Sequence, residues 1–170
     1  FLSKFKLLEK LRIITDETDL DFTPVTNLLN LQFINLSYCN LVSIDFVKEL
    51  KNLKKLYLSG NKNINDFSAI KNLAKIESIK VNDCELDKID FLVGVNSLKK
   101  IDMSFNKKIK DFSAMKNLKN LIKINNSDSD LVNIDFLTDD FKKVFSCFCF
   151  ITYYHGKIEM TRDEFAVYLG

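Results

Sequence analysis

Residues 66–73 read DFSAIKNL and residues 111–118 read DFSAMKNL, the same phrase but for one letter, at a separation of 111 − 66 = 45 positions. A catalytic site needs its residues once, so a phrase that returns at a fixed interval points to architecture. Around it the chain divides into shorter blocks, which start LQFINLSYC at Leu31, LKKLYLSGN at Leu53, IESIKVNDC at Ile76, LKKIDMSFN at Leu98 and LIKINNSDS at Leu121. Successive starts are 22, 23, 22 and 23 residues apart, so the long phrase is two units joined. LEKLRIITD from Leu8 is a less regular copy, and VFSCFCFIT from Val144 reads as a degraded last one.

The spacing has a physical reading. In Leu53-x-x-Leu56-x-Leu58 the last two leucines alternate, as a strand with one buried face requires. One unit cannot bury its leucines alone, but parallel strands stacked about 4.8 Å apart share a continuous core. The Asn or Cys that follows (Cys39, Asn61, Cys84, Asn106) is expected to turn the chain out of the sheet, an inward amide satisfying backbone groups of the bend. Further on stand Asp-Phe pairs at Asp21, Asp45, Asp66, Asp90, Asp111 and Asp135. Each Asp is expected to cap a short helical turn and each Phe to fill the convex side of the core. So few residues per unit leave no room for long helices. The fold class is therefore α/β: a right-handed solenoid with a parallel concave β-sheet of six or seven short strands and short helical or irregular convex turns.

The pattern L-x-x-L-x-L-x-x-N/C is that of leucine-rich repeats. DFTPVTNLLNL (21–31), DFSAIKNLAKI (66–76) and DFSAMKNLKNL (111–121) resemble the D-I-S-P-L-x-N-L-x-x-L phrase of the internalin-type, 22-residue class, with a match running from about Leu20 to Phe136. The resemblance implies a gently curved solenoid used for protein recognition, of a kind found on bacterial surface and secreted proteins and in cytosolic scaffold proteins. Two departures stand out. The usual Pro survives only as Pro24, with Ala69 and Ala114 in its place elsewhere, and Asn126 sits where an inward aliphatic is expected, so the fifth unit is expected to be locally irregular. The division expected is a first, irregular repeat or N-terminal cap over 1–30, regular repeats over 31–138, and a C-terminal cap over 139–170. In that cap VFSCFCFITYY would form a strand and TRDEFAVYL a short helix.

Composition narrows the function. A formal net charge of +2 gives no bulk case for nucleic acid, and no apolar run reaches the roughly 20 residues needed to span a bilayer. His155 stands alone, and the four glycines form no phosphate-binding loop, so no enzyme, cofactor or metal is expected. Cys39 and Cys84 hold the same repeat position two units apart, roughly 9.6 Å, too far for a disulfide, and are expected to be free. Cys147 and Cys149 read as packing residues. Localisation stays open: the resemblance favours a bacterial surface or secreted protein, the unpaired thiols a cytoplasmic one. The chain starts at Phe1 rather than Met, so any leader, anchor or fused domain would have to be read from the gene.

Function is expected where the repeat leaves positions free. The letter between the two strand leucines gives Arg12, Asn35, Tyr57, Lys80, Asp102 and Asn125, and the letter before the first of them gives Lys10, Phe33, Lys55, Ser78, Lys100 and Lys123. The letter before the Asn/Cys gives Tyr38, Gly60, Asp83, Phe105 and Asp128. Exposed aromatics edged by charge are the usual composition of a protein-binding patch. The expected site is therefore Phe33, Tyr38, Lys55, Tyr57, Lys80, Lys100, Asp102 and Phe105, on a monomer that binds a protein partner through its concave face. Tyr57 and Phe105 are the expected anchors. The alternative is an intracellular scaffold or a regulatory segment of a larger protein.

Overall fold

The computed structural model describes residues 4–15, 17 and 20–126. The expected C-terminal cap, with Cys147, Cys149 and His155, and the Asp-Phe pair at Asp135 lie outside them. Six three-residue strands form one sheet: β1 (Lys10–Arg12), β2 (Phe33–Asn35), β3 (Lys55–Tyr57), β4 (Ser78–Lys80), β5 (Lys100–Asp102) and β6 (Lys123–Asn125). They pair in parallel and in sequence order, each in register with its neighbour, as in Lys55↔Ser78 and Tyr57↔Lys80. The first, less regular block joins the sheet in the same register, Lys10 opposite Phe33. β6 holds it to Asn125, after which Asn126 is half-buried.

Each unit puts an apolar side chain at the same sites, so the core is a set of columns. Leu11, Ile34, Leu56, Ile79 and Ile101 form the strand column, and Leu36, Leu58, Val81 and Met103 a second beside it, all buried. Burying a Leu or Ile fully is worth about 2 kcal/mol, and each column gains that only because the next unit covers it. The convex column is Phe22, Phe46, Phe67, Phe91 and Phe112, each buried as the Asp-Phe phrases predict.

Alternate units differ, which is why the phrase repeats at 45 residues. Phe22 stacks on Phe46 at 5.8 Å between ring centroids, and Phe67 meets Phe91 at 5.2 Å with the rings tilted by 31°, coupling units in twos. The convex turns alternate too. Asp21, Asp66 and Asp111 lie just before the 3-10 turns Thr23–Asn27, Ser68–Asn72 and Ser113–Met115, where Oδ1 accepts from the N–H of Thr23, Ser68 and Ser113 at 2.8, 2.7 and 2.8 Å. Those hydrogen bonds hold the three carboxyls below their ordinary pKa, with the Thr23 side chain the largest cause at Asp21 and the backbone N–H at Asp66 and Asp111. Asp45 and Asp90 depart from the capping expectation. Each is the first residue of its turn, Asp45–Val47 and Asp90–Leu92. In the first of these the Ser43 hydroxyl accepts from the Asp45 N–H, and the Asp45 carboxylate is free to pair with Lys48 at 2.7 Å.

Asn61 and Asn106 fill the role expected of the turn amide. Asn61 Oδ1 accepts from the N–H groups of Cys39 and Leu41, at 3.1 and 3.0 Å, while Nδ2 donates to the carbonyls of Leu36 and Leu58, at 2.9 and 2.7 Å. Asn106 repeats this toward Cys84 and Leu86. The two cysteines are free and buried, each thiol donating to a carbonyl of the unit before, Ile13 for Cys39 and Leu58 for Cys84. Amide and thiol thus alternate along one internal column.

Candidate functional site

Strand residues of odd position in each triplet project from the concave side of the sheet, because the middle residue is buried in the core. At its centre the Phe33 and Tyr57 rings meet edge to face, 5.3 Å apart at 86°, and Lys80 Nζ sits 4.9 Å from the Tyr57 ring centroid. Such a contact is worth about 0.5–1 kcal/mol at an exposed site. Both aromatic residues are half-buried and Lys80 is exposed. Three of the expected site residues are therefore brought into one cluster, with Lys55 exposed in register beside Phe33.

Asp102 has an intramolecular role. Its Oδ1 accepts from the Ser104 hydroxyl at 2.7 Å and the Ser104 N–H at 3.3 Å, as Asn35 Oδ1 accepts from the Ser37 N–H at 3.0 Å three units earlier. The side chain braces the exit from its strand. Lys100 is exposed on the same strand.

Tyr38 and Phe105 are not on the strands. They occupy the turn that follows, with left-handed φ of 59° and 62°, a region that side chains with a Cβ rarely adopt. Asp83 holds the same site at φ 54° and Gly60 at φ 74°. Both aromatics are exposed, Tyr38 by 60% and Phe105 by 53%, and they stand three units apart, roughly 14 Å along the stack. The expected eight residues thus divide into a central cluster and two separate rim aromatics. Sequence reasoning treated the turn position as part of the sheet; Gly60 in that column was the signal for a left-handed turn.

The flanks hold the ion pairs: Lys62 with Asp83 at 2.9 Å, Glu77 with Lys99 at 3.1 Å, Glu85 with Lys108 at 2.8 Å. All are open to solvent, which screens them, so they add little to stability. Two surface clefts sit one 45-residue interval apart. One, of about 460 Å³, is lined by Phe22, Thr26, Asn40, Val42 and Phe46 among others. Its counterpart, of about 700 Å³, has Phe67, Lys71, Glu85, Asp87 and Phe91 at the equivalent places. Among the described residues no group of three or more His, Cys, Asp or Glu could hold a metal ion, and no helix is long and apolar enough to cross a membrane.

Comparison with known proteins agrees with this geometry. A family model described as leucine-rich repeats, two copies, matches residues 29–72. An internalin (InlF) from Listeria monocytogenes superposes with a TM-score of 0.70 at 22% identity, covering 78% of this chain and 38% of that one. The functional domain of InlJ from Listeria monocytogenes, which includes a cysteine ladder, gives 0.63 at 22%, over 79% and 33%. A chain of the Toll–Spatzle complex of Drosophila gives 0.66 at 20%, over 75% and 18%. The chain thus spans well under half the length of these structures. No curated protein sequence matches it significantly.

Proposed function

We propose that this solenoid of leucine-rich repeats, internalin-like in fold, is a non-enzymatic module that binds a protein partner through its concave face as a monomer. The observation that supports it is the face itself. A rigid sheet presents Phe33, Tyr57 and Lys80 already packed against one another, with Tyr38 and Phe105 exposed at its rim. Preorganised aromatics lose little side-chain freedom on binding, which is why they dominate interface energetics. Tyr57 and Phe105 serve as anchors, with Lys55, Lys80 and Lys100 around them.

Internalin-like architecture supports the finer reading of a bacterial surface or secreted adhesin-like protein. The buried free thiols of Cys39 and Cys84, at home in a reducing compartment, support a second reading as an intracellular scaffold or regulatory segment of a larger protein. Fractionation of cells expressing the full-length gene separates the two.

The binding face is tested by immobilising the protein and capturing its partner. Truncating a buried interface aromatic commonly costs about 2 kcal/mol or more, roughly thirtyfold in affinity. Tyr57→Ala and Phe105→Ala should each weaken capture by that factor with thermal unfolding near wild type. Charge reversal at the convex residues Lys71 and Lys116 should leave it intact. Loss of capture in the convex variants with retention in the concave ones would place the site on the other face.

A further inference from the structure

The sheet face is more densely basic than the small net charge of the chain suggests. The six strands carry six basic residues, Lys10, Arg12, Lys55, Lys80, Lys100 and Lys123, and one acidic, Asp102, a net of +5. The other described residues carry 15 basic and 12 acidic side chains, a net of 15 − 12 = +3 spread over many more positions. The six are all exposed, and none takes part in an ion pair among the described residues; the four ion pairs found there lie on the flanks and the convex side. Like charges gathered on one concave sheet repel one another, and among the strand residues only Asp102 offsets them.

The arrangement has a stride. Lys10, Lys55 and Lys100 occupy the same row on alternate strands, with Phe33 and Ser78 between them and Lys123 at the end. Two strand spacings are roughly 9.6 Å. A polyproline II segment, at about 3.1 Å per residue and three residues per turn, returns a side chain to the same side every 9.3 Å. A β-strand does so every 6.6–6.8 Å and falls out of step.

We propose that the face takes a short, extended acidic segment of a partner protein, lying across the strands along the Lys10, Lys55 and Lys100 row with a carboxylate at every third residue. Its apolar residues would rest on Phe33 and Tyr57. The inference builds on the concave-face reading above and adds the chemistry of the ligand. A nucleic acid fits less well, because Asp102 stands within the basic field.

The test measures binding of labelled synthetic peptides and a duplex to the full 170-residue chain by fluorescence anisotropy. The probes are (Glu-Pro-Pro)5, (Lys-Pro-Pro)5, a block isomer with the five Glu together, and a 15-base-pair DNA duplex. (Glu-Pro-Pro)5 should bind at least tenfold tighter than (Lys-Pro-Pro)5, and more weakly as salt is raised. Lys55→Glu with Lys100→Glu should lower its affinity at least tenfold with an unchanged melting curve, and Lys71→Glu with Lys116→Glu should not. The acidic ligand is overturned by equal binding of the two charge types, by indifference to Lys55→Glu with Lys100→Glu, or by tighter binding of the duplex. Equal binding of the block isomer overturns the every-third-residue arrangement. If aromatic-dependent capture of a protein partner persists while the acidic peptide fails, the concave face stands and its acidic ligand falls.

Discussion

The Tyr38 ring lies so close to Gly60 of the next unit that a β-carbon on Gly60 would overlap it. Gly60 also holds φ +74°, so alanine there meets both a steric and a conformational cost. The left-handed conformation accounts for roughly 1–2 kcal/mol. Because Tyr38 is exposed by 60%, its ring can swing aside. Gly60→Ala should therefore destabilise by about 2 kcal/mol in urea unfolding, and Tyr38→Ala in the same chain should recover only the steric part. Full recovery would show that the backbone is not strained.

Removing the turn amide should be far more damaging than its size suggests. Asn61→Ala strands two buried N–H groups and withdraws the donor from two carbonyls, and Asn106→Ala does the same one 45-residue interval later. Each unsatisfied buried group costs about 1–3 kcal/mol, so a loss of at least 3 kcal/mol is expected for either. Asn63→Ala, whose amide bonds only to the exposed Asn40 side chain, should stay within about 0.5 kcal/mol. Denaturation midpoints of the three variants decide the matter.

Burial pushes the Cys84 thiol up to about 11 from 9.0, against the pull of hydrogen bonds at the Asn61 and Gly60 backbone. Below pH 9 folded and unfolded chains both keep the proton. Between about 9 and 11 the unfolded chain releases it and the folded chain does not, so stability must fall as pH rises through that window. The loss at its upper end is about 3 kcal/mol. Urea midpoints at pH 8 and pH 10.5 measure it, and Cys84→Ala should flatten the difference. In native protein at pH 8 the Cys84 thiol should react with a thiol reagent only as fast as the structure around it opens.

The pairing of convex rings predicts an asymmetric coupling. A double-mutant cycle between Phe67 and Phe91, whose rings are in contact, should give an interaction of about 0.5–1.5 kcal/mol. The cycle between Phe46 and Phe67, which are also in adjacent units but share no ring contact among the described residues, should give close to zero. Equal coupling in both cycles would mean that every unit boundary is alike.

Much of the fold is legible in the sequence because each unit restates it. Leu53, Leu56 and Leu58 are buried as the alternation requires, and Asn61 and Asn106 bond as a turn amide should. The column of Phe residues follows from the Asp-Phe pairs. The site is less legible. The left-handed backbone at Tyr38 and Phe105 leaves no local mark, since both residues would be equally acceptable in an extended strand; only the glycine in the same column betrays it. The contact of Lys80 with Tyr57 depends on strand register, which sequence spacing gives only once the strand bounds are known. The capping expectation failed at Asp45 because Ser43, two residues earlier, already supplies the acceptor.

The alternation of amide and thiol along the internal column governs how such a chain can lengthen or shorten. The N–H groups of Cys39 and Leu41 need the carbonyl oxygen of an asparagine in the following unit, and a cysteine placed there offers none. Excising one unit would set Cys39 beside Cys84 and orphan both donors; excising 45 residues would bring Cys39 to Asn106 and keep every bond. Loss of the Asn61 unit alone is thereby penalised, and the stretch that can be removed around it with every such bond kept is the pair of units.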